Sequence, residues 1–299
     1  MTVFGVHAGL QNTTMADLIG VWKRVEQLGF GWISVWDHFY AADLTGGADC
    51  HEAVAAHAAL ACHTERVRVG CLVYCAGYRH PAVLAKAIAT IDHLAGGRAD
   101  IGLGAGWSQL EYQAYGIPFP SAGTRLDILE EAAACVRGLL RDETTTFTGE
   151  HFQLTDARCE PRPVQAALPV WIGGGGEKRT LRIAARYADG WNVPFISPDD
   201  FARKRAILDR HCEEAGRDPA EIRNAVNVGL AWDDADIEPQ FGRLRMAVEP
   251  GLLRHSEEEV RDKIGRYVEA GADQINISIR APWDLDGLER LAACLDLAP

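Results

Sequence analysis

The sequence predicts an α/β protein folded as a single (β/α)8 TIM barrel with insertion segments. Three observations predict it. Strand-like runs alternate with amphipathic helix patterns along the whole chain, which is the pattern of parallel βα units. Eight such runs can be counted, the number that closes a barrel. A six-strand doubly wound sheet would alternate too, but no G-x-G-x-x-G turn opens the first unit. The chain has 299 residues; barrels of about 250 residues and more are routinely one domain, so residues 1–299 are expected to form one unit.

The first run is Val3 to Ala8, and Thr14-Met15-Ala16-Asp17 behind it has the spacing of a capped helix start. The next runs are Trp32 to Trp36, Val67 to Tyr74 and Ala99 to Gly104. Trp107 to Thr124, aromatic and proline-rich, then exceeds ordinary loop length. So does Arg141 to Leu168, which contains the strand-like piece Thr144 to Phe147 and follows a helix, so a small hairpin on the flank is expected. Pro169 to Gly173, Gly190 to Val193 and Ala225 to Ala231 follow as strands, and Trp232 to His255 is the third long connection. Ser256-Glu257-Glu258-Glu259 is a fuller capped start, opening a helix pattern with Val260, Ile264, Tyr267 and Val268 on one face and Gly271 at its end. Gln274 to Ile279 is the eighth strand. The first and third long connections leave strand C-terminal ends, where barrel enzymes build their sites.

Composition narrows the function. Hydrophobic residues make up 47% and charged residues 24%, ordinary globular usage. A net charge of -12 argues against nonspecific nucleic-acid binding, which needs a surplus of base. No segment reaches the roughly 18 apolar residues of a membrane span, and Met1 to Val6 runs into a strand pattern without a basic leader, so a soluble cytoplasmic protein with no membrane partner is expected. Eight cysteines are too dilute for a disulfide scaffold. Cys71 and Cys75 have a C-x3-C spacing, but no second pair follows at zinc-finger spacing, and no metal is expected.

Four short pieces can carry chemistry. Trp36-Asp37-His38-Phe39 ends the second strand with an acid and an imidazole. An imidazole can donate or accept a proton at a reacting carbon or oxygen, which gives His38 a catalytic reading; alternatively Asp37 caps the next segment and His38 is a solvent-facing loop residue. Gly173-Gly174-Gly175-Gly176-Glu177-Lys178-Arg179 joins a strand to the helix pattern Thr180 to Tyr187. Its glycines let the backbone curl round an anion, helix amides point at it, and Arg179 adds a fork of donors, although such a turn can also serve packing alone. Gly102-Leu103-Gly104-Ala105-Gly106-Trp107 places alternate glycines at a strand end, where a flat ring could approach the backbone or a crowded barrel could simply need a tight turn. Trp107, Tyr112 and Tyr115 either line an apolar pocket or pack the loop. Gly70 to Cys75 leads into Tyr78-Arg79-His80-Pro81, with Pro81 suited to a helix's first turn; Arg79 and His80 at that entrance read as local hydrogen bonders to loop carbonyls.

In chain order these pieces resemble the luciferase-like oxidoreductase superfamily, and more closely its branch that uses the deazaflavin coenzyme F420. The matching stretches are Trp36 to Phe39, Arg79 to Pro81 with Asp92-His93-Leu94 and Gly96-Gly97-Arg98, Gly104 to Trp107, Tyr115 to Phe119, and Ile172 to Gly176 through Ala188 to Asn192. The C-terminal third matches more loosely, mainly in Ser256 to Ile279. The resemblance implies a luciferase-like barrel with the ring at the strand C-terminal ends and a non-proline cis peptide in the third strand, by position at Leu72 and Val73. It implies that Asp37, Leu72, Val73, Gly104, Ala105 and Gly106 bound the ring. Gly173 to Gly176 with Arg179 would take the phosphate, and Asn192 would touch the ring or polyol. Coenzyme F420 carries a phosphodiester and a glutamate tail, so an acidic chain would concentrate base such as Lys178 and Arg179 near it. His38 is the expected catalytic residue, moving the proton that matches a hydride transfer to or from a small organic substrate. Trp36, Tyr40, Tyr78, Trp107 and the loop Trp232 to His255 would shape the substrate pocket. Homodimers are frequent in such a family. The competing cofactor is FMN in a luciferase-like monooxygenase; other readings are a non-catalytic flavin-binding barrel and a metal-dependent hydrolase, the last disfavoured because His7-Ala8-Gly9 lacks an H-x-H pair.

Overall fold

The structure, a computed structural model, describes residues 2–42 and 46–298, so Met1, the first residue of the segment Met1 to Val6 singled out above, lies outside the described residues. Eight parallel strands close a barrel: β1 (Val3–Ala8), β2 (Trp32–Val35), β3 (Arg68–Cys75), β4 (Ala99–Gly104), β5 (Val170–Gly173), β6 (Gly190–Pro194), β7 (Arg223–Ala231) and β8 (Gln274–Ile279). Each pairs with the next, and β8 returns to β1 in a register running from Val3 opposite Gln274 to Ala8 opposite Ile279. Observed limits fall within two residues of the sequence-based ones. β2 stops at Val35 rather than Trp36, and β7 starts at Arg223 rather than Ala225.

A helix follows every strand: α1 (Met15–Gln27), α2 (Ala53–His63), α3 (Pro81–Leu94), α4 (Ala122–Arg141), α5 (Thr180–Tyr187), α6 (Pro198–Glu214), α7 (Glu257–Glu269) and α8 (Leu285–Cys294). Their starts are written in the sequence. Thr14 accepts from the amide of Asp17 and Ser256 from that of Glu259, each satisfying an amide that the first turn leaves over. Pro81 occupies the first turn of α3, with His80 as its cap. Each helix turns an apolar stripe inward, as α1 does with Leu18, Val21, Trp22 and Val25.

All three long connections have structure of their own, the first carrying the short helix Gln109–Ala114. Thr145–Thr148 and Gln153–Ala157 form the flanking antiparallel hairpin. The stretch after β7 is a series of short helical turns from Asp234 to Gly251, ending in the strand Leu252–Arg254. That strand pairs with Gly229 to Ala231 on the side that β6 leaves after its last partner, Asn227, because β7 is long enough to need a second neighbour there. No described helix is long and apolar enough to cross a membrane.

Inside the barrel, Trp32, Leu72, Trp171 and Ala225 pack together with Val73 against them. At the base, Trp32 Nε1 donates to Asp100 (2.8 Å), which also holds Arg68 (2.8 Å). The Leu72–Val73 peptide is cis, and the β3–β4 register shifts between Cys71 and Tyr74. Above this apolar plug the interior turns polar: Asn192 and Asn276 both donate to Asn227 Oδ1 (2.9 and 3.0 Å), and His7 meets Ser34 (2.7 Å). The plug closes one end of the barrel, and what remains open is the end at which the strands finish.

Candidate active site

At that end lies a cavity of about 380 Å³ whose wall includes both His38 and the bend Gly173–Gly174. Its volume is that of a small-molecule site. His38 follows β2 and is held from behind: its Nδ1 lies 2.9 Å from both carboxylate oxygens of Glu111. Glu111, on the short helix Gln109–Ala114, is 1% exposed and also accepts from the amides of Phe39 (2.9 Å) and Tyr40 (3.0 Å) and from the Tyr78 hydroxyl (2.7 Å). Burial works to raise its pKa, but the bonds from His38, Tyr78 and Tyr40 more than offset this and hold the carboxyl below its ordinary value. An ionised acceptor on Nδ1 fixes the His38 proton there and leaves Nε2 as the lone pair. Trp107 sets the edge of its indole against the same imidazole, centroids 5.3 Å apart.

Asp37, beside His38, is 3% exposed and accepts from the amide of Cys75 (2.9 Å) and from two nitrogens of Arg79 (2.6 and 3.0 Å). Arg79 also reaches Glu52. Burial pushes Asp37 up, and the Arg79 fork pulls against that push. The expectation that Arg79 bonds loop carbonyls is therefore corrected: it pins the β2 end to α2 and to the β3 end. The reason is non-local, since a buried carboxylate needs a cation and the fold brings one from 42 residues away.

The cavity floor is the Leu72–Val73 bulge, flanked by the bare backbone of Gly104 and Gly173. A Cβ on Gly104 would stand 2.4 Å from Val73 Cγ2, and one on Gly173 2.6 Å from Val73 Cγ1. Gly106 turns the chain at φ +77, with Cys75 Sγ and the Tyr112 hydroxyl where a side chain would go. After β5, Gly174 sits at φ +120, its amide donating to Asn192 O (2.9 Å) and its carbonyl accepting from Trp191 Nε1 (2.8 Å). Among the described residues the amides of Gly175 and Gly176 have no acceptor. Thr180, at the start of α5, joins the wall beside them.

Of the residues singled out in the sequence, Trp36, Asp37, His38, Leu72, Val73, Tyr78, Gly104, Ala105, Gly106, Trp107, Gly173, Gly174 and Asn192 share this cavity. Tyr40, Gly175, Gly176 and Arg179, also singled out, do not line it. Arg179 is held by Asp127 (2.5 Å) and the Gly123 carbonyl (3.0 Å). No group of three or more metal-ligating side chains occurs among the described residues.

With this geometry in place, comparison with known proteins decides the family. The sequence model described as luciferase-like monooxygenase matches residues 1–248. The chain belongs to the luciferase-like monooxygenase family. An uncharacterised protein of Mycobacterium bovis is 36% identical to this luciferase-like chain over 128 residues, 43% of the chain and 44% of that protein. The F420-dependent glucose-6-phosphate dehydrogenase of Kineococcus radiotolerans is 33% identical over 178 residues, 58% of this chain and 52% of that enzyme. The chain thus spans about half the length of these curated relatives. Among solved structures, an F420-dependent secondary alcohol dehydrogenase in complex with an F420-acetone adduct superposes with a TM-score of 0.85 at 22% identity, covering 100% of this chain and 99% of that one. That likeness is one of fold.

Sequence reasoning missed several residues that build the luciferase-like site. Glu111 is the most important: an acid four residues past Trp107 in an aromatic loop was the available signal, but its partners Phe39, Tyr40 and Tyr78 lie 33 residues or more away. His7 on β1 and Asn227 on β7, either side of β8, also face the cavity. Burial, with Arg280 and His38 nearby, pushes the His7 pKa down to about 3, so this imidazole is neutral and structural.

Proposed function

We propose that this protein is an F420-dependent oxidoreductase that transfers a hydride between the deazaflavin and a small organic substrate, an alcohol, enone or imine. One observation carries the reading: His38 and the glycine bend after β5 open onto one cavity. Two similar proteins bearing F420 dependence in their names support the cofactor. The residues present fit it. Gly104, Gly106 and Gly173 expose flat backbone around Val73, a surface for a planar ring, and the amides of Gly175 and Gly176 with the Thr180 hydroxyl are a donor set for a phosphate, whereas Arg179 is engaged by Asp127 and the Gly123 carbonyl. When bound, coenzyme F420 supplies a two-electron centre that takes or gives a hydride at C5.

The chain supplies orientation and proton handling. Asn192 lines the cavity, fixed by its bond to Asn227, and would be a polar partner for the ring or its polyol. Trp36, Tyr78 and Trp107 bound the substrate space. In the oxidising direction His38 Nε2 accepts the hydroxyl proton as the C–H hydride leaves. The imidazolium so formed faces Glu111 at 2.9 Å, which stabilises it. In the reducing direction the same nitrogen returns the proton.

Titration of the purified protein with F420, reduced F420 and FMN, followed by ring absorbance and fluorescence, tests the cofactor. Saturable binding of F420 is expected; binding of FMN alone, with oxygen consumed on reduction, replaces this reading by a monooxygenase. His38→Ala should lower turnover about 10²- to 10⁴-fold with cofactor affinity little changed. Collapsed affinity with normal residual turnover removes His38 from the proton step.

A further inference from the structure

A second cavity, of about 390 Å³, lies beside the first, and only Tyr78 and Ala105 line both. Its wall carries Arg79, His80, Arg125 and His151 and not one aspartate or glutamate, in a chain of net charge -12. Arg79 is committed to Asp37 and Glu52. Arg125 is not so matched: half-buried, it donates from Nε to the Gly106 carbonyl (3.1 Å) and from Nη1 to the Pro120 carbonyl (2.6 Å), and has no carboxylate partner among the described residues. Its guanidinium lies 4.1 Å from the centroid of Phe119, at the end of an aromatic row running through Tyr112 to Tyr78. A cation half out of water and paired only with carbonyls favours an anion beside it, and a guanidinium matches a carboxylate's two oxygens.

The neighbours agree. His151 is anchored through its amide to Glu131 (2.8 Å), and no described residue bonds its imidazole. His80 spends Nδ1 on the Ala82 amide (3.2 Å), which leaves Nε2. Ile117, Ile128 and Phe152 make the rest of the wall apolar. The pocket is also near the glycine bend: Arg179 donates to the Gly123 carbonyl (3.0 Å), two residues before Arg125 in the first turn of α4.

We propose that this cavity is a carboxylate-binding site anchored by Arg125 with His80 and His151 beside it. The carboxylate has two sources, an acidic arm of the molecule seated in the first cavity or a free aromatic acid. The first source rests on the F420 reading, whose glutamate tail would be that arm; the second does not.

The experiment measures affinity of the full chain for F420 with several tail glutamates, for F420 lacking them, and for benzoate. If the arm is the source, the tailed form binds about tenfold tighter or more, and His151→Gln or Arg125→Gln brings the ratio towards one without weakening the tail-free form. If a free acid is the source, tail length is immaterial and benzoate binds saturably, with its affinity reduced by the same substitutions. His151→Gln stands alone should loss of the Gly106 contact unfold Arg125→Gln. Equal binding of both cofactor forms with no saturable benzoate binding overturns the proposal. Failure of every cofactor form alongside substitution-sensitive benzoate binding sinks the F420 reading and leaves the carboxylate site standing.

Discussion

The two glycine-rich turns at the barrel mouth read alike in sequence and differ in what makes them glycine. After β4, Gly104 and Gly106 are required by protein: Val73 stands against one, and Cys75 and Tyr112 against the other. After β5, Gly173 is likewise required by Val73 and Gly174 by its φ of +120, but Gly175 has neither demand. A Cβ there would meet only the Lys204 stem and a Val193 methyl, both at 3.3 Å. Its amide points at no protein acceptor. The first turn thus serves the bulge beneath the cavity, whereas in the second Gly175 is required by no close protein contact, which fits the phosphate role proposed for it.

The largest effect expected from this contrast is at Gly104. Gly104→Ala should cost about 3 kcal/mol of stability, since its Cβ would stand 2.4 Å from Cγ2 of Val73, whose β-branched side chain is stiff at χ1. Val73→Ala should recover part of that loss, a coupling that a double-mutant cycle in urea unfolding will read. Additive losses would break the link between the turn and the bulge.

A second, intermediate effect lies in pH. Neither turn titrates near neutrality, so acid sensitivity should come from the opposite wall. His7 has an ordinary pKa of about 6.5 when unfolded and about 3 when folded. The unfolded chain therefore binds the extra proton between those values. The stability that His7 contributes is complete above pH 6.5 and is lost as pH falls towards 3, about 2 kcal/mol by pH 5. Buried His57, lowered to about 4, adds in the same direction. His7→Asn should flatten the urea midpoint between pH 6.5 and 5; an unchanged slope would remove His7 from the account.

The smallest stability effect, and the sharpest test of the contrast, is Gly175→Ala. Stability should fall by less than about 1 kcal/mol, because the Lys204 stem can move aside. Affinity for the phosphate-bearing cofactor should drop severalfold, while affinity for its phosphate-free ring fragment stays. Equal losses for both ligands would make the second turn a packing device like the first.

Much of the fold was legible because it rests on local periodicity and caps. α5 occupies Thr180–Tyr187 as read from the sequence, and Thr14 and Ser256 cap their helices because hydroxyl and amide are three residues apart. The hairpin after α4 and the cis bond at Leu72–Val73 also fall where expected. The helical turns between Asp234 and Gly251 were not legible, being too short to show a period. In the site, residues carried by contiguous pieces were found, and those joined by long-range bonds were not.

The sequence by itself determined the eight βα units, the helix starts, and the placing of an imidazole and a glycine bend at strand ends, because periodicity and capping act within a few residues. Only the tertiary structure decided that Glu111 holds His38, that Arg79 answers Asp37, that Val73 dictates the glycines after β4, and that a basic cavity lies behind Tyr78. Those facts depend on burial, which gives a charge or a methyl group its partner according to what the barrel closes around it, not according to what stands beside it in the chain.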